Sequence, residues 1–289
     1  MRKCAYLTME NPEGFFVYDN LTIEPLQELG WDVVDVPWSK PGVDWSAYDA
    51  VVIRSPWDYQ DNPQEFIETL EAIERCGALL FNSLAICRWN MDKVYLKDLN
   101  QRGVPIVPTQ WFDRLGAVTL DGLLADTTDD IPLVLKPTIG ANADGVYVLK
   151  PGEKGRAAEA FREYAEKPVM AQPFLKSINT VGEYSLFYFG GEYSHAILKQ
   201  PKDGDFRVQE EHGGQIKSTI PDEAIRKTAE TAIEALGETL LYARVDIVIL
   251  NDGSPALIEL ELIEPSLYFS YDDKSAGRFA SALNRMRSE

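Results

Sequence analysis

Histidine is nearly missing from this chain of 289 residues, with His195 and His212 the only two. Catalytic systems that move a proton through imidazole, Ser-His-Asp and Cys-His alike, have little to draw on. His195 falls in the alternating run Glu192-Tyr193-Ser194-His195-Ala196-Ile197, which reads as a strand with a packed or surface histidine. Cysteine is also scarce: Cys4, Cys76 and Cys87 are odd in number and show no C-x-x-C spacing. That argues against a disulfide framework and a zinc site, and for reduced thiols in the cytoplasm. Basic residues are in deficit, 28 Lys and Arg against 46 Asp and Glu, for a net charge of −18. Duplex nucleic acid and anionic membranes both need a basic footprint, so neither is an expected partner, although local Lys and Arg can still gather a small anion. No apolar run approaches the roughly 18 residues of a membrane span, and the run after Met1-Arg2-Lys3 is too short for a signal peptide.

Against that background, three acidic residues occupy stretches otherwise fit for a buried sheet. They are Asp246 in Tyr242-Ala243-Arg244-Val245-Asp246, and Glu259 and Glu261 in Ile258-Glu259-Leu260-Glu261-Leu262. Asn251-Asp252-Gly253-Ser254 reads as a two-residue hairpin turn, which sets Asp246 opposite Glu259 and Arg244 opposite Glu261. Side chains alternate across a strand, so these four share one face while Ile247, Ile249, Ile258 and Leu260 take the other. Opposed carboxylates destabilise a sheet unless positive charge lies between them. A hard divalent ion with oxygen ligands would supply it, and Mg²⁺ usually arrives with phosphates. A solvated acidic face paired with Arg244 is the plainer alternative.

The first 90 residues alternate strand and helix patterns: strands at Arg2 to Thr8, Asp32 to Val36, Ala50 to Arg54 and Leu79 to Asn82, helices at Ile23 to Leu29 and Pro63 to Glu74. This is a βαβ layout with a parallel sheet, where ligands collect beyond the carboxyl ends of the strands, at Met9 to Asp19 and Ser55 to Tyr59. From Met91 a second unit begins, with a helix over Asp92 to Arg102 carrying Lys93, followed by low-periodicity sequence to Asp130. A third runs from Leu133 to Leu175 as strand, turn, strand (Gly145 to Leu149), helix (Ala157 to Glu166) and strand. A hairpin through Gly190-Gly191, a helix over Asp222 to Leu236, the acidic hairpin and a closing helix over Ala276 to Arg287 complete the chain. The expected class is α/β, or α+β taken as a whole.

Lys136 ends the apolar strand Pro132 to Lys136 and precedes a turn of small residues, Thr138-Ile139-Gly140-Ala141-Asn142-Ala143-Asp144-Gly145. A point charge on one side and backbone N–H groups on the other suit phosphate, although the turn is neither a Walker loop nor G-x-G-x-x-G and a surface lysine before a turn is the simpler reading in isolation. The order of the pieces is more informative. Lys93, Lys136, a small-residue loop, Met170-Ala171-Gln172-Pro173-Phe174-Leu175, Glu183, then Asp246, Glu259 and Glu261 resemble the ATP-grasp superfamily over residues 90 to 270, and the first unit resembles the α/β domain that precedes it. The likeness is strongest to the glutathione synthetase branch. Within it stand the O-ureido-serine cyclo-ligases, which form cycloserine; Arg54-Ser55-Pro56-Trp57, Arg88-Trp89 with Asp92-Lys93, Tyr193 to Ile197, and Glu264-Pro265-Ser266-Leu267 carry that resemblance.

The resemblance implies a Rossmann-like domain over residues 1–90 and an ATP-grasp domain over 91–289 with a lid at about 131–176. It implies a ligase that activates a small amino-acid-like carboxylate as an acyl phosphate and captures it with an amine, with cyclisation of a single molecule, a kinase, or a non-turning nucleotide-binding regulator as alternatives. ATP is the implied cofactor, with Mg²⁺ or in its place Mn²⁺, and small-molecule carboxylate and amine are the partners; homodimerisation stays open. Lys93 and Lys136 would hold phosphates, Gly140, Asn142 and Gly145 the covering loop, Gln172, Phe174 and Leu175 the adenine, and Glu183 the ribose. Asp246, Glu259 and Glu261 would take the metal, and Lys136, Lys93, Arg244 and Lys199 would be catalytic. Arg54, Trp57, Arg244, Ser266 and Tyr268 would meet the substrate, between the two arginines, with a structural pairing of Arg54 to Asp19 or Asp58 as the competing view. Two departures stand out: Glu261 replaces an asparagine common in relatives, and Ala141 and Ala143 make the loop poorer in glycine.

Overall fold

The computed structural model describes residues 1–117, 120–124, 127–128, 131–140, 145–202 and 213–287. Strands β1 (Arg2–Thr8), β2 (Trp31–Pro37), β3 (Ala50–Ser55) and β4 (Leu79–Phe81) form a parallel sheet in the order β2-β1-β3-β4. Every residue of β3 is buried, as a central strand covered on both faces requires. Helix α1 (Ile23–Glu28) closes the first crossover, and α2 (Pro63–Arg75), with Pro63 in its first turn, buries Phe66, Leu70 and Ile73.

Helices α3 (Leu84–Asn90) and α4 (Tyr95–Gln101) lead out of this sheet. Lys93 stands in the turn between them, not on a helix: Asp92 Oδ1 accepts the Val94 N–H at 3.1 Å, a local bond that competes with helical continuation. A strand absent from the sequence reading, β5 (Gln110–Phe112), joins β6 (Leu133–Pro137), β7 (Tyr147–Leu149) and β8 (Val169–Pro173) in a second sheet, ordered β5-β8-β6-β7 and antiparallel throughout. Among the described residues a short helix α5 (Leu120–Leu123) lies between β5 and β6, and α6 (Lys154–Glu163) packs Ala157 and Ala160 onto the sheet.

The third sheet is antiparallel. After the short helix α7 (Ser177–Thr180) come β9 (Glu183–Phe189), β10 (Glu192–Gln200) and β11 (Gln215–Ser218). Helix α8 (Glu223–Glu234) then leads to β12 (Tyr242–Ile249) and β13 (Pro255–Glu261), in the order β11-β10-β9-β12-β13. The acidic hairpin has the expected pairs, Arg244 opposite Glu261 and Asp246 opposite Glu259, by a different route. Its turn spans three residues, Leu250 N–H bonding Ser254 O at 2.8 Å with Gly253 at φ +86°, and a bulge then restores the register. Ile258 is the extra residue. It joins Val107, Leu175, Val248 and Ala256 instead of sharing the Ile247 and Leu260 face.

The last helix, α9 (Ser275–Met286), returns to the first sheet, where Phe279 and Leu283 share a buried cluster with Cys4, Tyr6, Leu26 and Trp31. Asn82 ties the two parts together. Its amide donates to the carbonyls of Tyr242 and Leu262 at 2.9 and 2.8 Å and accepts from Leu241 N–H at 3.1 Å. Asn90 does the same for Leu260 and Leu262 on the outgoing strand. Buried amides with both ends satisfied fix one docking geometry, because any slip would strand a polar group.

Candidate active site

A cavity of about 890 Å³ opens between the second and third sheets and is capped by loops of the first. Lys136, Gln172 and Glu183 line it from β6, β8 and β9; Arg244, Asp246, Glu259 and Glu261 from the acidic hairpin; Trp57, Ser266 and Tyr268 from the loops. Lys93, Gly140, Phe174, Leu175 and Lys199 also reach it. Gly145 does not: its carbonyl accepts from the Tyr164 hydroxyl at 2.6 Å, and a Cβ there would meet that oxygen. Asn142 lies outside the described residues, as does His212.

Alternation along the strands puts the charges together. Lys199 Nζ is 2.5 Å from Glu183 and 3.6 Å from Asp246. The Arg244 guanidinium bonds Asp246 through Nε and Nη2 and reaches Glu261 as well. Ser185 donates to Asp246. Lys93 Nζ lies 3.1 Å from Glu259 and donates to the Gly140 carbonyl at 2.6 Å. The positive charge that the sequence reading assigned to a divalent ion is therefore met in part by the chain's own Lys93, Lys199 and Arg244. Among the described residues no group of three or more Asp, Glu, His or Cys is disposed as a metal cluster.

The balance is uneven, and the titration of each group reports it. Burial pushes the Asp246 carboxyl up, but Arg244 and Lys199 outweigh it and hold the group below the usual carboxylate range. Glu259 is lowered likewise, Lys93 overcoming its burial. Glu261 has no such surplus: burial, then Glu259 and Asp246, outweigh Arg244 and push it up to about 8. Glu264, a lining residue that the sequence reading quoted but gave no role, is pushed up to about 7 by burial. On the cationic side, burial and then the neighbouring Lys93 depress Lys136, with Glu259 only partly offsetting them. Among the described residues no carboxylate lies within ion-pair distance of Lys136. A half-buried lysine in this state fits an incoming phosphate, and the oxygen-only pair Glu259 and Glu261, with one carboxyl in excess of cations, fits a hard divalent ion.

Gln172 is buried, with its amide donating to Thr109 Oγ1 at 2.9 Å. Leu175 is buried beside it, and the Phe174 N–H is taken by the Pro132 carbonyl at 2.8 Å. That bond fixes the end of β8 and leaves Phe174 N–H engaged within the second sheet. Glu183, expected at a ribose, is in the cavity wall but paired with Lys199.

Arg54 is the clearest departure. It is 1% exposed and does not line the cavity. Asp19 accepts from its Nε at 3.0 Å, the Pro265 carbonyl from its Nη2 at 3.0 Å, and the guanidinium lies over the Tyr242 ring. Burial of so large a charge is tolerated because every face is met. Arg54 thus anchors the backbone of the loop that carries Ser266 and Tyr268 and is not itself between the cavity and solvent. Trp57 acts beside it, donating from Nε1 to the Glu264 carbonyl at 2.9 Å while its ring meets Phe15 at 5.2 Å. Tyr59, Gln60, Met91 and Tyr95 are further lining residues outside the sequence-derived set.

Residues 120–266 match the ATP-grasp domain of prokaryotic glutathione synthetase, and residues 4–82 match the N-terminal domain of D-cycloserine synthetase DcsG. The cycloserine biosynthesis protein DcsG of Streptomyces lavendulae is 34% identical over 279 residues, covering 90% of this chain and 91% of that protein. A D-alanine–D-alanine ligase of Clostridium botulinum is 26% identical over 224 residues, 74% of this chain and 69% of that one. The crystal structure of D-cycloserine synthetase DcsG superposes with a TM-score of 0.84 at 31% identity, over 99% of both chains. The ATP complex of D-alanine–D-alanine ligase from Bacillus anthracis, at 14% identity, TM-score 0.67 and coverage of 100% and 99%, shares the fold. Among the described residues no helix is long and apolar enough to cross a membrane. With half the chain inside one domain family and nearly all of it aligned to a 34% identical relative, this protein belongs to the ATP-grasp family and is an ATP-dependent carboxylate–amine ligase.

Proposed function

We propose that the cavity joins a carboxylate and an amine of small amino-acid-like molecules through an acyl phosphate, and that the two groups belong to one molecule, so that the product is a ring. The observation that carries the ring-closing reading is the N-terminal match: the unit that caps the cavity resembles that of a cycloserine-forming enzyme, not only the shared ATP-grasp part. A cavity of about 890 Å³ has room for a nucleotide and a small molecule beside it, which also favours a compact substrate.

In this reading Lys136 and Lys93 hold the ATP phosphates, with Gly140 and the loop to Gly145, Asn142 included, over them. Gln172, Phe174, Leu175 and Glu183 surround the nucleoside. Glu259 and Glu261, with Asp246 behind them, would hold Mg²⁺, or Mn²⁺ in its place; the ion supplies charge neutralisation for in-line phosphoryl transfer when bound. Lys136 offsets the charge that gathers on the transferring phosphoryl group, a task for which an unpaired, desolvated ammonium is suited. Arg244 faces the substrate side through Glu261, and Ser266, Tyr268 and Trp57 line that side. Residues of about 131–176 act as a lid that excludes water from the acyl phosphate, hinged on the domain of residues 91–289 and facing that of residues 1–90. An ADP-release screen with single molecules bearing both groups, against pairs bearing one each, tests the reading. Turnover with pairs alone would replace ring closure by joining, and ADP release with a stable phosphorylated product and no need of an amine would make the protein a kinase.

A further inference from the structure

Among the described residues five carboxyl groups line the cavity: Glu183, Asp246, Glu259, Glu261 and Glu264. The first four each have a lysine or arginine nitrogen within 4 Å. Glu264 has none among the described residues. The Tyr59 hydroxyl lines the cavity beside it and favours its charged form, against the burial that disfavours it. Its place is equally distinct: it follows β13 by three residues, where the chain leaves the charged hairpin and passes beneath the first sheet's loops. Trp57 holds its backbone carbonyl at 2.9 Å, Arg54 holds that of Pro265 at 3.0 Å, and Phe15 lies against Trp57. A carboxyl so rigidly presented, with no cation of its own, is the complement of a ligand that brings one.

We propose that Glu264, with Tyr59, forms a recognition subsite for the amino group of the substrate, the Glu264 carboxylate accepting hydrogen bonds from an ammonium. Tyr59, on the same cavity wall, favours the charged carboxylate that an ammonium needs. The substrate's ammonium then sits among Glu264, Trp57 and Ser266, and its carboxylate points toward Lys136 and Arg244 across the cavity. This rests on the ligase reading and adds to it that the substrate class is one with a free, charged amino group. Removing that charge while keeping the shape of the ligand should cost at least tenfold in affinity, about 1.4 kcal/mol.

The test is a binding experiment, with turnover measured alongside it. Wild-type protein holding a non-hydrolysable ATP analogue is titrated with both enantiomers of alanine and serine, and with lactate and glycerate, in which hydroxyl replaces the amino group. The wild type is expected to prefer the amino acids at least tenfold. Glu264→Gln, which keeps the size of the side chain, should abolish that preference while its affinity for the ATP analogue stays within twofold. Tyr59→Phe should weaken the preference without abolishing it. An unchanged preference in Glu264→Gln, or a wild type that binds the hydroxy acids as well as the amino acids or binds neither, overturns the subsite. A wild type that shows the preference but releases no ADP with any amine-bearing substrate leaves the subsite standing and overturns the ligation chemistry, so the two failures are told apart.

Discussion

Lys93 and Glu259 form an ion pair of 3.1 Å across the cavity floor, joining the turn that leaves the first sheet to the strand that carries the acidic face. Lys136 faces the same cavity without a carboxylate in range among the described residues. The two lysines should therefore respond differently to removal. Lys93→Ala leaves Glu259 uncompensated, so thermal stability and turnover both fall. Lys136→Ala removes an unpaired, half-buried charge, so stability holds or rises while kcat falls by about 10²-fold or more, a loss of roughly 3 kcal/mol in the transition state. Thermal denaturation beside ADP-release kinetics separates the two.

Replacement of Arg54 strands the Asp19 carboxylate and frees the Pro265 carbonyl. Arg54→Met is expected to cost about 3–5 kcal/mol of stability, as for other broken buried pairs. Arg54→Met combined with Asp19→Asn should recover part of that loss. Chemical denaturation of the single and double variants is the check; equal stability of wild type and Arg54→Met would dismiss the anchoring role.

His195 is stacked on Phe187 with ring centroids 4.3 Å apart, and its Nε2 meets the Leu267 carbonyl at 3.2 Å. Burial pulls its pKa down from 6.5 to about 4. A depressed folded-state pKa means that the unfolded chain takes up the proton first, so the contribution is intact above pH 6.5 and is lost as pH falls through about 4. The loss amounts to roughly 3 kcal/mol at most. In His195→Gln the acid limb of the stability profile should flatten over that window.

The Glu261 carboxyl, raised to about 8, works in the opposite sense: its share of stability is full below its unfolded value near 4.5 and disappears as pH rises through 8. If Mg²⁺ binds at Glu259 and Glu261, it should raise the melting temperature more at pH 8 than at pH 5, and Glu261→Gln should remove that difference. Chelator should also stop ADP release. An equal shift at both pH values would count against these ligands.

The sequence told much of this because several signals are local. Alternation along β12 and β13 put Arg244, Asp246, Glu259 and Glu261 on one face, and the structure has the same pairs. The two-residue turn was the wrong turn, however, and the bulge at Ile258 cancelled the error; a bulge depends on what the strand packs against, which periodicity does not encode. Lys93 was assigned to a helix because Asp92 to Arg102 has helical composition, whereas the Asp92–Val94 bond ends the turn first. Strand β5 escaped notice because three residues pairing with Met170 and its neighbours, some 60 positions on, leave no pattern of their own. Arg54 looked like a ligand residue by position at a strand end. Pairing with Asp19 is the alternative open at that strand end, and it is the one the structure has; the Pro265 carbonyl, 211 residues distant, is a partner that nothing in a linear reading brings near.

The packing of α9 onto the first sheet has a further consequence for how the molecule is made. Phe279 and Leu283 share one cluster with Cys4 and Tyr6, so β1 completes its hydrophobic surroundings only after α9, far along the chain, has been synthesised. The amino-terminal unit cannot mature independently during synthesis, and its apolar face must wait exposed or be sheltered by a chaperone. Release of a chain ending before residue 275 should accordingly yield aggregates instead of a folded amino-terminal fragment, and the late closure makes the last helix the step that commits the two halves to one another.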